Sequence, residues 1–449
     1  FLQLIAVYPI MRLLKVLVSD PSVVKSIKTQ LESSGKLNKA LKIGKEQNQE
    51  LNTTVLTLPT LFLEHEQNEL NSTLSTHNES QFTTSAYEYI QQLNDGPESE
   101  PIFQYLSSII PDSNPLKQTL LANSPKKYTI YPPMLLINNH NTFDSPEWTQ
   151  YLSTINATEF FNDLLTQCFN ASNLTHIALN KPIIEQDILR RPFNIIPLHG
   201  DFGPEPTDQM YDTPTEKDFQ EAFWCGVVQN GIKQVWAPRY TMFSRGNIKE
   251  KARILNTFKN VKERCVIDMY AGIGYFTLSY LKLGAKNLYC FELNPWSIKG
   301  LMLGCEANKI KYKMVRRGEK VETAGNDVRC FIFQESNEHV LERLQELREL
   351  GLTMDITHFN LGLLPSSKQS WEHTINAFIQ FSNEKCCDVH VHENVSVADL
   401  PEFMSLTKAE LTELGQGIVS VKDLHLEKIK TFAPDVWHIC ADFRVMKKV

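Results

Sequence analysis

The chain has 449 residues, enough for two or three domains with complete hydrophobic cores. Hydrophobic residues make up 42% and charged residues 22%, which excludes a disordered, fibrous or membrane-embedded class. The net charge of −7 argues against indiscriminate nucleic-acid binding. The nine cysteines include no Cys-x-x-Cys pair, so we expect reduced, mostly buried thiols and a cytoplasmic protein.

Residues 1–122 are predicted to form an amino-terminal α+β region. Residues 1–10 are apolar, but they lack the basic segment and cleavage site of a signal peptide and are too short to span a bilayer. We therefore expect a dispensable extension and no membrane partner. Residues 11–65 alternate strand and helix patterns, whereas the Asn, Ser, Thr and Gln content of residues 66–100 predicts a polar flexible insertion.

Residues 123–262 predict a middle α+β domain that carries an unusual density of positive charge. Asn230-Gly231 lies between two strand patterns and predicts a hairpin with a type I′ turn. Residues 233–264 contain nine basic residues and only two acidic ones, Glu250 and Glu263. The basic residues are Lys233, Arg239, Arg245, Lys249, Lys251, Arg253, Lys259, Lys262 and Arg264. A second basic cluster follows at residues 309–320. Such clusters are typical both of nucleic-acid sites and of solvated surfaces.

Residues 265–292 contain the pattern that indicates an enzyme. A buried parallel strand at 265–269 is followed by a turn with Gly272 and Gly274 and by a helix at 275–283. A second strand, 287–291, brings Glu292 to its carboxyl end, from which a carboxylate can accept hydrogen bonds from both ribose hydroxyls. The unit therefore predicts a nucleoside cofactor site.

Motif residues of other nucleotide sites are absent from this unit, and their absence restricts which nucleoside is expected. Thr277 stands where a dinucleotide fingerprint has its third glycine, and no Gly-Lys-Ser or Gly-Lys-Thr follows the turn. Asp268, the glycine turn and Glu292 together resemble the first two motifs of class I S-adenosylmethionine-dependent transferases. A plain glycine-bearing turn in an α/β protein is the alternative. Further strand and helix patterns predict that residues 263–449 form an α/β, Rossmann-like domain with a seven-stranded sheet.

Three separated motifs carry a more specific resemblance: Ala237-Pro-Arg-Tyr-Thr-Met-Phe-Ser-Arg-Gly-Asn-Ile-Lys-Glu-Lys-Ala-Arg-Ile, Asp268-Met-Tyr-Ala-Gly-Ile-Gly-Tyr-Phe and Asn360-Leu-Gly-Leu-Leu-Pro-Ser-Ser. In this order and spacing they resemble the tRNA wybutosine-synthesising protein 2 family, within the tRNA guanine-37 N1-methyltransferase-like class I transferases. The resemblance covers about residues 190–449.

The resemblance implies transfer of the 3-amino-3-carboxypropyl group of S-adenosylmethionine to carbon 7 of 4-demethylwyosine at position 37 of tRNA-Phe. It places the family's cofactor contacts on Ser244, Lys251, Glu292, Glu335 and Ser336. Asp268, Gly272 and Gly274 complete the predicted cofactor site. Asn360 is the candidate catalytic residue, because it can position the base, and strand termination is its alternative role.

We expect the tRNA anticodon stem-loop to be the partner, with no obligate protein partner. Arg239, Arg245 and Asn247 are the candidate contacts, because RNA loops are recognised by stacking and hydrogen bonds over a basic surface. His390 and His392 alternate on a predicted strand without a cysteine or carboxylate at metal-binding spacing, so no metal is expected. A guanine-37 N1-methyltransferase and a non-catalytic tRNA-binding protein remain alternatives.

Overall fold

The structure is a computed structural model that describes residues 10–18, 20, 23–37, 44–48, 53–74, 82–90, 100–139, 141–169, 173–180, 195–322 and 327–448. The chain divides into two compact units, Phe1–Gln104 and Tyr105–Val449. The three-domain division stays a prediction, and residues 1–9 of the expected extension lie outside the described ranges. In the described ranges, no helix combines the length and the apolar character that crossing a membrane requires.

The first unit contains a four-stranded antiparallel sheet with strand order β2-β3-β1-β4. Its elements are β1 (Ile10–Val18), α1 (Val24–Ser33), β2 (Gly44–Asn48), β3 (Thr53–Leu63), α2 (Gln67–Thr73) and β4 (Phe82–Ile90). Leu14, Val16 and Val18 alternate along β1, so they point to one face and pack in a core with Ile27 and Leu31 of α1.

The flexible insertion predicted for residues 66–100 is wrong for α2 and β4. β4 pairs with β1 along its whole length, from Phe82 opposite Val18 to Ile90 opposite Ile10. Threonine and tyrosine fit a half-buried strand, and the backbone hydrogen bonds to β1 stabilise a segment whose composition alone resembles a linker. Residues 75–81 and 91–99 of the predicted insertion lie outside the described part of the chain.

The chain continues into a second four-stranded sheet, of order β5-β6-β7-β8, and a hairpin. The elements are α3 (Pro101–Ile109), α4 (Lys117–Ala122), β5 (Tyr128–Tyr131), β6 (Met134–Ile137), α5 (Pro146–Leu152), α6 (Ala157–Phe169), β7 (His176–Asn180), β8 (Ile195–His199), α7 (Asp208–Asp212), α8 (Glu216–Glu221), β9 (Cys225–Gln229) and β10 (Ile232–Trp236). The predicted β9–β10 hairpin is confirmed: Asn230 and Gly231 have φ angles of 52° and 68°, the positive values that a type I′ turn requires.

A large mixed sheet follows, with strand order β13-β14-β12-β11-β15-β16-β18-β17. Its elements, with the helix that precedes them, are α9 (Ile248–Thr257), β11 (Cys265–Asp268), α10 (Thr277–Lys282), β12 (Asn287–Glu292), α11 (Pro295–Ala307), β13 (Tyr312–Arg316), β14 (Cys330–Gln334), α12 (Val340–Glu349), β15 (Ile356–Leu361), α13 (Trp371–Phe381), β16 (Cys386–Ser396), α14 (Leu400–Leu414), β17 (Val419–Ala433) and β18 (Val436–Lys447). The predicted α/β architecture is confirmed.

The predicted number of seven strands is wrong, because the described sheet has eight. The additional strand is β13, which lies inside the second basic cluster and pairs with β14 at the sheet edge. Charged residues are tolerated on an edge strand, so its sequence lacks the continuous apolar run that marks the central strands.

Two hydrophobic cores cover the faces of this sheet and fix the position of its strand ends. Cys265 and Ile267 of β11 pack in one core, and Val266 packs in the other. β11 pairs with β12 on one side and with β15 on the other. The strands that follow β11 in the chain therefore lie on both sides of it. Open α/β sheets form a ligand crevice at such a position, at the carboxyl ends of their strands.

Acidification is predicted to destabilise the β16–β18 part of the sheet. Burial lowers the pKa of His392 well below its usual value and that of His438 to about 3. The unfolded chain takes up these protons below pH of about 6.5 while the folded chain does not, so stability is lost as the pH falls.

We expect the free energy of unfolding to drop by about 2 kcal/mol between pH 7 and 5.5, measured by urea denaturation. A His438→Asn variant should lose part of this slope, with the rest kept by His392 and by His358, whose pKa burial lowers to about 4. The exposed His425→Asn should keep the whole slope. A pH-independent free energy in the wild type would contradict this assignment.

Candidate functional site

A cavity of about 310 Å³ opens at the carboxyl ends of β11, β12, β14 and β15. Four residues predicted from sequence line it: Gly272, Glu292, Glu335 and Ser336. The remaining lining residues are Thr241, Met242, Met269, Tyr270, Tyr275, Phe291, Leu293, Ser297, Asn337, Glu338, Gly362, Leu363 and Gln369. The other predicted cofactor residues, Asp268, Gly274, Ser244 and Lys251, do not line this cavity.

The glycine turn allows the backbone to approach a ligand closely. Gly272 and Gly274 have φ angles of +55° and +83°, a region that residues with a side chain rarely adopt. A Cβ atom on Gly274 would lie 2.6 Å from Leu301 Cδ1, and one on Gly272 would lie 2.8 Å from the Tyr275 ring. Gly272 thus leaves open the wall of the cavity, while Gly274 permits the turn to pack against α11.

Asp268 is fully buried and acts as a brace for the turn. Its carboxylate accepts hydrogen bonds from Thr277 Oγ1 at 2.7 Å, Asn360 Nδ2 at 2.9 Å and the Tyr270 amide at 3.4 Å. Burial raises the pKa of Asp268, and these hydrogen bonds oppose the shift. The predicted cofactor residue Asp268 therefore connects β11 to α10 and β15 behind the cavity.

Asn360 is buried and does not line the cavity, so the structure does not favour it as a catalytic residue. Its amide nitrogen donates to Asp268, whereas its Oδ1 has no hydrogen-bond partner among the described residues. The structure favours the alternative role of Asn360 in strand termination, because the side chain fixes the end of β15 beside β11.

Glu292 presents its carboxylate at the cavity wall. Oε2 accepts from the Gly272 amide at 2.8 Å, and Oε1 accepts from the amides of Leu293 at 2.9 Å and Asn294 at 2.8 Å. Burial raises the pKa of Glu292, and these three hydrogen bonds act in the opposite direction. Because a carboxylate has about four acceptor positions, close to one remains for a ligand hydroxyl without displacing a backbone amide.

Glu335 is held by a buried ion pair. Arg343 Nε and Nη2 donate to its two carboxylate oxygens at 2.5 and 2.9 Å. Ser336 follows and caps the next turn by accepting from the Glu338 amide at 3.4 Å. The two residues follow the end of β14, where the resemblance placed two of the cofactor contacts, and the bidentate Arg343 pairing fixes the Glu335 carboxylate in position.

Lys251 lies behind the cavity wall. Its ammonium group is buried and donates to the amide oxygens of Gln229 at 2.9 Å and Gln234 at 2.5 Å. It also lies 5.6 Å from the centroid of the Tyr275 ring, which lines the cavity. Burial lowers the pKa of Lys251 to about 7, and no described carboxylate pairs with it. Gln234 in turn donates to the Gly274 carbonyl at 3.0 Å, so Lys251 is connected to the glycine turn.

The predicted tRNA contacts occupy different environments. Arg239 is buried, donates to the carbonyls of Gly203 and Pro204 and forms an ion pair with Glu205, so the structure does not favour it as a tRNA contact. The other two predicted contacts are Arg245, which is exposed, and Asn247, which is buried. Asn247 accepts from Ser244 Oγ at 3.2 Å, while Lys430 Nζ donates to the same serine hydroxyl at 3.1 Å.

Several cavity residues were not predicted from the sequence. Asn337 fixes the wall by donating from Nδ2 to the Met269 carbonyl at 2.9 Å. The hydroxyls of Thr241 and Ser297 are hydrogen-bonded at 2.8 Å. Tyr270 lines the cavity, and its buried Oη has no partner among the described residues. Tyr270 and Asn337 both follow the end of a predicted strand, so position after a strand was the signal available for them.

A second group of buried polar residues surrounds His390 and His392. Their neighbours in this group are distant from them in the sequence. His390 approaches Cys440 and Asp442, and His392 approaches Cys440 and Glu250, with potential ligand atoms within 4.8 Å of one another. The sequence-based prediction missed these partners because they come from α9 and β18. Arg253 donates to both carboxylates, so a metal ion would compete with a guanidinium already in place. The absence of a metal stays a prediction.

Comparison with known proteins identifies the family. A model of the TRM5/TYW2 methyltransferase domain matches residues 227–351, which contain β11, β12, β14, Glu292 and Glu335. The tRNA wybutosine-synthesizing protein 2 of Saccharomyces cerevisiae is 40% identical over 364 residues, 73% of this chain and 75% of the relative. The chain belongs to the tRNA wybutosine-synthesizing protein 2 family.

Other members of the tRNA wybutosine-synthesizing protein 2 family extend the comparison. The Schizosaccharomyces pombe protein of this name is 39% identical over 324 residues, covering 72% of this chain and 73% of its own. A crystal structure of the P. horikoshii protein in complex with MeSAdo has a TM-score of 0.50 and 20% identity, covering 77% of this chain and 98% of that chain. The likeness in structure shows the shared fold, and the predicted class I methyltransferase-like fold is confirmed.

Gly274→Ala tests whether packing of the turn sets the site. The new methyl group would meet Leu301 and Leu278, so we expect a loss of about 1–3 kcal/mol in stability beyond backbone strain, measured by denaturation. Gly318→Ala is the control for strain alone, because Gly318 has φ +80° and a Cβ atom placed there would have no neighbour within 4 Å. Equal losses in the two variants would contradict the packing role of Gly274.

Proposed function

We propose that this chain transfers the 3-amino-3-carboxypropyl group of S-adenosylmethionine to carbon 7 of 4-demethylwyosine at position 37 of tRNA-Phe and releases methylthioadenosine. The observation that carries this proposal is the 40% identity to the yeast family member over three quarters of its length. A Pyrococcus horikoshii relative, 26% identical over 221 residues, is named tRNA(Phe) (4-demethylwyosine(37)-C(7)) aminocarboxypropyltransferase. The reduced thiols expected from the sequence favour a cytoplasmic site of action.

The cavity fits the nucleoside part of the donor. Glu292 has an acceptor position left for a ribose hydroxyl, and Gly272 brings backbone close to the space beside it. Tyr270 also lines the cavity, and its buried hydroxyl has no hydrogen-bond partner among the described residues. Glu335 and Ser336 at the end of β14 are the proposed adenine contacts.

Lys251 is the proposed neighbour of the donor's carboxylate, together with Ser244. Burying an ammonium group without a paired carboxylate destabilises its charged form, and for this reason the pKa of Lys251 is lowered. An anionic group from the donor would supply the missing counter-charge. The hydrogen bonds to Gln229 and Gln234 hold the ammonium group 5.6 Å from the centroid of the Tyr275 ring, which lines the cavity.

The donor supplies an electrophilic carbon next to its sulfonium, and the chain selects which of three such carbons faces the base. Apolar residues Met269, Phe291 and Leu363 line the cavity and exclude water from the reacting atoms. Fixed groups such as Glu292 and Glu335 hold the donor's sugar and base, so that its orientation decides the product. Direct displacement at carbon requires no covalent bond to the enzyme, and no such nucleophile is proposed.

A dual-label experiment separates the proposed reaction from guanine-37 methylation. Incubated with undermodified tRNA-Phe, the protein should transfer label from carboxyl-labelled donor to tRNA and none from methyl-labelled donor, because the methyl group leaves with methylthioadenosine. Mass analysis of the digested tRNA identifies the modified base. Methyl label in the tRNA would favour the methyltransferase alternative. Failure of the protein to bind methylthioadenosine would favour the non-catalytic alternative.

Glu292→Ala tests the proposed ribose contact. Loss of a charge-assisted hydrogen bond should weaken methylthioadenosine binding by about 1–3 kcal/mol in calorimetry. Glu292→Gln keeps an acceptor oxygen, so an intermediate affinity is expected. Glu342→Ala removes the same charge from an exposed position on α12 and serves as the control. Wild-type affinity in Glu292→Ala would show that the sugar binds elsewhere.

A further inference from the structure

Positive charge in this chain is distributed over two clusters whose surroundings differ in the structure. In the cluster around β13, Lys311 pairs with Asp327, Lys313 with Glu322 and Arg316 with Glu319. These pairs neutralise three of the six cations at residues 309–320 locally. Both clusters are basic in sequence, so the pairing of side chains is the observation that separates them.

The earlier cluster also loses several of its cations to internal contacts. Arg239 pairs with Glu205, Arg253 with Glu250 and Asp442, and Arg264 with Asp355 and Glu384. Lys251 is buried among glutamine side chains. None of these four basic residues offers a free charge to a polyanion.

An open groove of about 710 Å³ retains unneutralised charge. Its walls are the last residue of β9, the turn before α9 with the first residues of α9, residues 428–431 of β17 and one residue of β18. The lining residues are Gln229, Arg245, Gly246, Ile248, Lys249, Lys428, Ile429, Lys430, Thr431 and Trp437. Four of these are cationic and none is acidic. Arg245, Lys249 and Lys428 are exposed, and none of the three forms an ion pair with a described residue.

Specific contacts shape this groove. Arg245 Nη1 donates to Thr129 Oγ1 at 2.8 Å, which fixes the guanidinium while leaving its other donors available. Lys428 Nζ lies 5.6 Å from the centroid of the Trp437 ring. The side chain of Lys430 lies across Gly246, where a Cβ atom would be 2.6 Å from Lys430 Cδ. The cations thus converge from two separate elements onto one surface.

We propose that this groove binds the phosphate backbone of the substrate tRNA, an inference that rests on the proposed function. Closely spaced lysine and arginine side chains without counter-ions release condensed cations when they contact phosphates, which gives affinity without base specificity. Met242 lines the donor cavity and Arg245 lies three positions later along the chain, so an RNA held in the groove lies on the segment that also forms the cavity wall. Lys249, Lys428 and Lys430 were not predicted from the sequence as tRNA contacts.

The test uses the full chain with two charge-matched double variants. Lys249→Gln with Lys428→Gln removes two unpaired groove cations, one from each wall. Lys311→Gln with Lys313→Gln removes two paired cations from the β13 cluster and is the control. Binding of an unmodified tRNA-Phe transcript is measured by fluorescence anisotropy over a range of salt concentrations, and methylthioadenosine affinity is measured for each variant.

We expect the slope of log affinity against log salt to fall by about two in the groove variant and to stay at the wild-type value in the control, with methylthioadenosine affinity unchanged in both. A wild-type slope in the groove variant, or equal falls in both variants, overturns the proposal. Loss of binding to a poly-glutamate peptide without loss of tRNA binding also overturns it and indicates a protein partner. Absence of label transfer by the wild type, with the salt slope still reduced in the groove variant, rejects the proposed function and leaves the groove as an RNA site.

Discussion

The buried carboxylate of Asp268 is the constraint on which the site depends. A charge withdrawn from water is stable only if its oxygens are hydrogen-bonded, and here Thr277, Asn360 and the Tyr270 amide supply those bonds. The donors come from α10, β15 and the turn after β11. One acid therefore holds together the strand ends and the helix start that border the cavity, although it does not line the cavity itself.

Glu292 uses the same chemistry for a different purpose. It too is bonded by donors of the protein, but these are backbone amides around the turn, and its position at the cavity wall leaves acceptor capacity for a ligand. Lys251 supplies the opposite charge 5.6 Å from the centroid of the Tyr275 ring, buried and without a paired carboxylate among the described residues. The proposed donor carries its sugar hydroxyls in the nucleoside part and its carboxylate at the amino-acid end, and this separation matches the positions of Glu292 and Lys251.

The number of basic residues in a segment does not predict which of them lie on a binding surface. Arg239 and Arg253 belong to the densest basic segment, yet both are committed to internal carboxylates. Lys428, from a segment about 180 residues later, joins Arg245 and Lys249 in one groove. Proximity in sequence identified a region, and the pairing of each side chain decided which cations face a partner.

The sequence by itself determined the α/β architecture of the carboxy-terminal part, the β9–β10 hairpin, the glycine turn and the position of Glu292, because strand periodicity, turn chemistry and the spacing of a βαβ unit are local properties. Only the tertiary structure decided that β4 is a strand, that β13 extends the sheet, that Asn360 braces Asp268, and that Glu335 pairs with Arg343. Each of these depends on a partner distant along the chain. Hydrogen bonds and ion pairs between distant residues form only when the fold brings them together, and no local pattern records them.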